Sequence, residues 1–350
     1  MVQVRHQSHH ESGRHEVDLE VWLGSLPPNV DSGEHEKLLA TAELVRALSE
    51  GPGEDQNDWA SESDCFRAGL DVVLILAELH VGTDCLLAGM LYRTVREKRI
   101  EIPEVEERFG AGVASLLRGV LRMAAIGDLR PQQDQPVLGQ AHAQKDNVRK
   151  MLIALVDDVR VALIKLAERT CAIRAVKDDE DRREPVAREV FDVYAPLAHR
   201  LGIGHLKWEL EDLSFRYIYA DAYRKIARLL DGKRLERDQF IAEVKALLTD
   251  VLQQAGLEFE IEGRAKHIYS IWRKMQRKGI GFSQVYDIRA VRILVPEIKD
   301  CYATLGLVHG LWRNIPNEFD DYIANPKVNG YRSLHTAVYG PEGKVLEIQI

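Results

Sequence analysis

The chain has 350 residues, with 47 Lys and Arg against 55 Asp and Glu, a formal net charge of −8 at pH 7 and 45% apolar residues. This length allows two domains with cores of their own, and the net negative charge means that any basic patch is a local feature. No apolar run approaches the roughly 20 residues of a membrane-spanning helix, so the composition predicts a soluble globular protein.

The first half of the chain is predicted to be helical. Residues 1–35 are polar and predicted to be a flexible tail, and its scattered His6, His9, His10 and His15 are not a convincing metal site. Helical periodicity dominates residues 36–185, for example in 71–80 and 148–176, which predicts an all-α domain followed by a helical linker over 186–240. Stretches 50–64 and 131–144 are predicted to be loops. Four cysteines without pair spacing favour a reduced, cytoplasmic compartment: Cys65, Cys85, Cys171 and Cys301.

A basic amphipathic helix is predicted for residues 263–278. Its apolar side carries Ile268, Ile271, Trp272 and Met275. The opposite side gathers Lys266, Ser270, Arg273, Lys274 and Arg277, with Arg264 just before. Such a cationic side suits a triphosphate and its metal, a nucleic-acid backbone, or simply solvent.

An apolar, β-branched segment at 285–295 predicts a strand. Alternation puts Asp287 and Arg289 on the same face as Val291 and Ile293. Asp287 is interpreted either as a salt-bridge partner of Arg289 or as a ligand for a hard cation.

The segment 325–335 concentrates polar and aromatic side chains in a loop that contains Pro and Gly. Tyr331 offers a stacking face, Lys327 a charge for a phosphate, and Asn329 hydrogen bonds to a base or sugar; His335 ends the loop. The strand 345–350 follows, with Glu347 as its one carboxylate. Together with Asp287, Glu347 predicts a site for a metal and a hydroxyl nucleophile on two strands.

Three blocks in this order, 264–275, 286–295 and 319–350, resemble the synthetase domain of the RelA/SpoT homologues, which make the alarmones ppGpp and pppGpp. The motif 193–204 before them fits the same family. The resemblance implies an all-α HD-type domain, a helical linker, and an α+β nucleotidyltransferase-like synthetase domain with a mixed or antiparallel sheet over 241–350. Because the chain stops within an apolar strand, we expect it to be the N-terminal catalytic half of a longer protein.

The resemblance also assigns roles to residues. It implies transfer of diphosphate from ATP to the 3′-hydroxyl of GDP or GTP, a GTP pyrophosphokinase activity. Asp287 corresponds to the Mg²⁺ ligand, with Glu347 beside it to take or orient the hydroxyl proton. The implied ATP-binding residues are Arg264, Lys266, Ser270 and Lys274. The implied guanine-nucleotide residues are Lys327, Asn329, Tyr331 and His335.

The subtype depends on an acidic run. Glu318, Asp320 and Asp321 occupy a place where bifunctional members carry basic residues, so the chain resembles the monofunctional RelA-type branch. Negative charge there favours extra metal ions and the less charged acceptor, GDP.

The HD-type half is expected to be a dead hydrolase without metal. The positions of the family's metal ligands hold Ala68, Tyr92, Arg93 and Glu168. Arg93 is expected to repel a cation or to pair with the Glu168 carboxylate. Hydrolysis of alarmones is therefore predicted to be absent.

Two other interpretations stay open from the residues. The chain could be a non-catalytic regulatory or RNA-binding module, although carboxylates beside a cationic face give such a module nothing. It could also be a bifunctional synthetase-hydrolase, which the residues at 92 and 93 argue against. The resemblance further implies that longer members engage the ribosome and uncharged tRNA through regions absent here.

Overall fold

The computed structural model describes residues 17–49, 65–128, 158–231, 234–264, 266–282 and 289–350. The chain divides into two compact units, residues 3–197 and a second unit of residues 198–350 with residues 1–2. The division falls inside the predicted linker of 186–240. Among the described helices, none is both long enough and apolar enough to cross a membrane.

The described elements of the first unit are all helical, as predicted. They are α1 Leu19–Gly24, α2 Ser32–Leu48, α3 Cys65–Glu78, α4 Thr83–Arg96, α5 Ile102–Phe109, α6 Ala111–Asp128, α7 Val159–Ala175 and α8 Glu180–Glu189, followed by a π-helical turn Val190–Tyr194; helix α9 Ala195–Arg200 contains the boundary between the units. The predicted segment 71–80 lies mostly in α3 and 148–176 partly in α7, while 148–157 fall outside the described residues.

Helices α3 and α4 pack closely through glycine. A Cβ atom on Gly69 would lie 2.8 Å from the main-chain oxygen of Met90, a separation that real side chains do not adopt. Ala68, next to it, is fully buried. Gly69 therefore lets α3 and α4 approach closely, and Ala68 lies in the buried interior next to it in the chain.

The flexible tail predicted for residues 1–35 is too long. Residues 1–16 are outside the described part, but α1 begins at Leu19 and its Trp22 is only 1% exposed. Asp31 then caps α2 in a capping box with Glu34. Capping and burial of one large aromatic ring give this polar segment a fixed structure that its composition did not suggest.

The second unit combines helices with one sheet. Its elements are α10 Gly204–Ile218, α11 Ala220–Asp231, α12 Arg234–Gln254, β1 Glu260–Arg264, α13 Ile268–Lys278, β2 Ala290–Leu294, α14 Ile298–Leu311, β3 Asn314–Asp321, β4 Leu334–Tyr339 and β5 Val345–Gln349. The strand order is β1-β2-β5-β4-β3. β2 and β5 run parallel and the other neighbours antiparallel, which confirms the predicted mixed sheet.

The sheet has one covered face. Leu346, Ile348 and Val291 belong to a buried cluster that also contains Val244 of α12 and Val308 of α14. Alternation along β5 places Glu347 on the other face, where it is only partly buried. Strand β5 thus holds the Glu347 carboxylate on the face opposite α12 and α14.

Two predicted boundaries are corrected. The helix predicted from residue 263 begins at Ile268, because residues 260–264 form β1 and pair with β2. The strand predicted over 285–295 is seen as Ala290–Leu294, and Asp287 is outside the described residues.

Candidate active site

The open face of the sheet brings together three predicted site residues. The Lys266 ammonium lies 3.6 Å from Glu347 Oε2, and His335 Nδ1 lies 3.8 Å from Glu347 Oε1. Gln349 donates a hydrogen bond to the same Oε1 at 3.0 Å. Each of the two charge contacts is longer than a tight ion pair, so the carboxylate is held between two potential cations without being saturated by either.

An aromatic group adjoins this carboxylate. The Tyr331 hydroxyl and His335 Nε2 are 3.0 Å apart, and the two rings meet edge to face. Tyr322 packs against both rings. The Lys327 ammonium lies 4.1 Å from the Tyr322 ring centre and 5.3 Å from that of Tyr331. A cation over two aromatic rings at a half-open surface suits an anionic aromatic ligand such as a nucleotide.

Asn329 shapes the loop from within. Its side-chain amide donates to the main-chain oxygen of His199 at 3.2 Å, and its Oδ1 accepts from the Tyr331 amide at 3.3 Å. Gly330 has φ +75°, a left-handed conformation that glycine adopts without strain. Both ends of the Asn329 side chain therefore bind protein, which orients Tyr331.

The basic helix α13 packs as predicted on its apolar side. Ile268 and Ile271 are buried with Phe215 and Ile226, and Trp272 and Met275 pack against them. Ser270 and Lys274 are half-buried and four residues apart, hence on one side of the helix. Only the backbone of Arg264 is described, so its predicted role and that of Asp287 stay predictions.

Positive charge also gathers at the start of the second unit. Burial, followed by the charges of Lys207, Lys327 and Arg273, lowers the pKa of His199 below its ordinary value. The three cations near this imidazole make the region attractive to anions.

The acidic run lies on β3, at the edge of the sheet. Asp321 accepts from the amides of Ala324 at 2.8 Å and Ile323 at 3.0 Å, and the Ala324 bond is the main cause that holds its pKa below the ordinary value. Glu318 lies 3.6 Å from the Lys278 ammonium. Asp320 stands opposite His335 in the β3–β4 register. Asp321 thus fixes the start of the loop that carries Tyr331.

In the first unit, charges occupy the expected hydrolase positions. Glu168 is fully buried, with the Lys165 ammonium at 2.8 Å and Arg169 Nη2 at 2.5 Å. Lys165 also donates to the Tyr92 hydroxyl at 3.2 Å.

Arg93, 1% exposed, forms a 2.6 Å ion pair with Glu97. The sequence predicts that Arg93 either repels a cation or pairs with Glu168, and the structure shows Glu168 in ion pairs with Lys165 and Arg169. Within the described ranges, no three His, Cys, Asp or Glu side chains converge as metal ligands.

Several residues that contact the predicted site positions were not predicted from the sequence. Tyr322, Gln349 and Lys165 carry no motif of their own. The ring contacts of Tyr322 and the hydrogen bond from Lys165 to Tyr92 come from packing between elements. Weak signals existed for the other contacts, because alternation along β5 puts Gln349 on the same face as Glu347 and helical spacing puts Lys165 beside Glu168.

Family models match both parts of the chain. An HD domain model matches residues 42–204. The model of the region found in RelA/SpoT proteins matches residues 263–350, which include Lys266, the Tyr331 loop and Glu347.

Residues 263–350 carry the region found in RelA/SpoT proteins.

Curated relatives include two GTP pyrophosphokinases. A GTP pyrophosphokinase of Photobacterium angustum is 47% identical over 283 residues, covering 81% of this chain and 38% of the relative. The GTP pyrophosphokinase of Escherichia coli K12 is 44% identical over 351 aligned residues, covering 100% of this chain and 45% of the relative. The chain therefore spans less than half the length of either relative.

A solved structure, small alarmone synthetase 1 from Bacillus subtilis, is 27% identical and covers 36% of this chain and 70% of its own, at a TM-score of 0.29. A TM-score this low does not by itself establish a shared fold. The likeness to RelA/SpoT proteins rests on the sequence matches.

Proposed function

We propose that this chain carries a (p)ppGpp synthetase that transfers the diphosphate of ATP to the 3′-hydroxyl of GDP or GTP. The observation that carries the proposal is the Glu347 carboxylate, held between Lys266 and His335 on the open face of the sheet and beside the Tyr331 ring. Relatives named GTP pyrophosphokinase support it.

Each residue then has a physical task. Glu347 accepts or orients the proton of the acceptor hydroxyl, while Lys266 neutralises charge on the donor phosphates. Tyr331 stacks on guanine, and Lys327 lies where a phosphate of the acceptor can reach it. Transfer of this kind depends on positioning and charge neutralisation, so no covalent nucleophile is required.

A divalent metal completes the proposal. Mg²⁺, held by carboxylate oxygens of this site, would offset the charge on the donor phosphates. Glu347 fits as one oxygen donor, and Asp287 is the second proposed ligand. On the donor side, Arg264, Ser270 and Lys274 are proposed to hold ATP with Lys266.

The acidic run favours GDP as acceptor, although its members act differently. Asp321 is committed to the loop and Glu318 to Lys278. Asp320 stands opposite His335 and accepts a hydrogen bond from Tyr322, so its charge lies beside the proposed acceptor pocket, where it would disfavour the extra phosphate of GTP.

The experiment is separation of labelled nucleotides after incubation of the purified chain with ATP, GDP and Mg²⁺. The proposal requires a 3′-diphosphorylated product and loss of that product in Glu347→Gln. An RNA-binding module would instead retain RNA through the basic side of α13 and form no product.

The HD-type half is proposed to be without hydrolase activity and without metal. The support is electrostatic: Lys165, Arg169 and Arg93 are buried near the places of the lost ligands, and Glu168 is already neutralised by two of them. Incubation of ppGpp with Mn²⁺ or Mg²⁺ should release no diphosphate. Metal-dependent release that disappears in Glu168→Gln would overturn this proposal and restore the bifunctional alternative.

A cytoplasmic location, and engagement of the ribosome and uncharged tRNA by segments other than these 350 residues, stay proposals drawn from family resemblance.

A further inference from the structure

The helix α13, which bears Ser270 and Lys274, begins against a helix that is distant in the sequence. Asp212 of α10 accepts hydrogen bonds from the amide of Tyr269 at 2.8 Å and from the amide of Ile268 at 3.3 Å. Asp212 is only 1% exposed. His267, at the usual capping position, makes no capping bond with its own side chain. Asp212 therefore caps α13 from 56 residues away.

A second contact holds the start of α13. The ring of Trp208 stacks on that of His267, with centroids 5.2 Å apart and planes inclined by 22°. Trp208 and Asp212 are four residues apart in α10 and so share one side of that helix. Together they hold three consecutive residues, 267–269, from one rigid element.

Residues 267–269 adjoin the candidate active site. Lys266 directly precedes His267, and its ammonium lies 3.6 Å from Glu347. The first turn of α13 also fixes the direction in which Ser270 and Lys274 leave the helix.

We propose that Asp212 is a positioning residue, which sets Lys266 and the basic side of α13 in place for the donor triphosphate. This inference rests on the proposed function, because the donor site is itself part of that proposal.

The chemistry of the cap supplies a discriminating variant. Burial raises the pKa of Asp212 to about 6, although its hydrogen bonds to Tyr269 and Ile268 oppose the rise. A carboxylate here is thus costly, and an asparagine oxygen could accept an amide hydrogen bond without the cost of a buried charge. Asp212→Asn should keep the position of α13, whereas Asp212→Ala should lose it.

The test compares both variants with the unaltered chain and with Asp179→Ala. Asp179 caps α8 in the first unit by accepting from the Arg182 amide at 2.9 Å, so its loss controls for helix capping in general. Two quantities are measured: hydrogen exchange of the amides of residues 268–271, and the affinities for ATP and for GDP separately. Circular dichroism establishes that each variant is folded.

For Asp212→Ala we expect faster exchange at 268–271 and about tenfold weaker ATP binding, the equilibrium ratio that corresponds to one N-cap. GDP affinity should stay within about twofold of the unaltered chain, a change of less than half a kcal/mol. Asp212→Asn should behave like the unaltered chain in both measurements, and Asp179→Ala should leave ATP binding unchanged.

Faster exchange in Asp212→Ala with unchanged ATP affinity would overturn the positioning role, since the cap would then be structural only. Equal weakening of ATP and GDP binding would do the same. If Asp212→Ala does not fold, an Asp212→Asn variant that is folded but binds ATP about tenfold more weakly would contradict the inference. Failure of the unaltered chain to bind ATP would instead refute the proposed function, while the exchange data still report on the cap.

Discussion

Replacement of Glu168 by glutamine removes the one negative charge at the centre of the buried cluster. The Glu168 side chain is 0% exposed, with Lys165 Nζ at 2.8 Å and Arg169 Nη2 at 2.5 Å. Glutamine keeps the shape but leaves Lys165 facing a neutral amide, while Arg169 keeps a longer contact with Glu189, at 3.3 Å. Removal of one partner from a buried ion pair costs about 3–5 kcal/mol, because the remaining charge is uncompensated.

The matched control is Glu184→Gln on the surface of the same unit. Glu184 pairs with Arg188 at 2.5 Å, but the two side chains are 56% and 59% exposed. Exposed pairs contribute about 0–1 kcal/mol, so the free energy of unfolding of Glu184→Gln should differ little from that of the unaltered chain. Urea titration followed by circular dichroism gives the free energies of unfolding. In thermal unfolding, the buried change should lower Tm by roughly 6–20 °C.

The effect should also depend on pH with a definite sign. Burial opposes ionisation of Glu168, but Arg169 and Lys165 outweigh it and lower its pKa well below the ordinary value. A carboxyl group whose pKa is lowered by folding stabilises the fold above its unfolded pKa, about 4.3, and loses that contribution as pH falls through the folded pKa. The difference between Glu168→Gln and the unaltered chain should therefore be constant above about pH 5.5 and shrink in acid.

A Glu168→Gln variant as stable as Glu184→Gln would refute the reasoning, since it would mean that the two cations are not held by this carboxylate. A second test adds Lys165→Met to Glu168→Gln. Removal of one stranded cation should recover part of the lost stability.

Three further predictions concern the synthetase site. Glu347→Gln should lower kcat by about a thousandfold, roughly 4 kcal/mol. Glu342→Gln, on the adjoining exposed turn, is the control and should leave kcat unchanged. Near-normal turnover in Glu347→Gln would contradict the proposed role of Glu347. Tyr331→Ala should weaken GDP binding by about 1–3 kcal/mol in titration calorimetry and leave ATP binding nearly unchanged, whereas equal losses would indicate collapse of the loop. Asn329→Ala should raise KM for GDP by roughly fivefold, the value of one hydrogen bond near 1 kcal/mol, and an unchanged KM would show that the contact with His199 does not orient Tyr331.

The sequence by itself determined the chemistry and much of the pattern. The helical period predicted which side of α13 packs, and Ile268 and Ile271 are buried there as expected. Alternation predicted the two faces of β5, with Glu347 separated from Leu346 and Ile348. These features depend on residues close in the chain, where periodicity is a direct consequence of backbone geometry.

The tertiary structure decided what depends on distant partners. Residues 260–264 form a strand because β2 offers them hydrogen bonds, and this pairing moves the start of the helix to Ile268. The contact of Glu168 with Lys165 follows from helical spacing within α7, but the hydrogen bond from Lys165 to the Tyr92 hydroxyl, 73 residues away, exists only once α4 and α7 are packed together. Asp212 gave no signal at all, because a cap supplied from another helix exists only once the two helices are packed together.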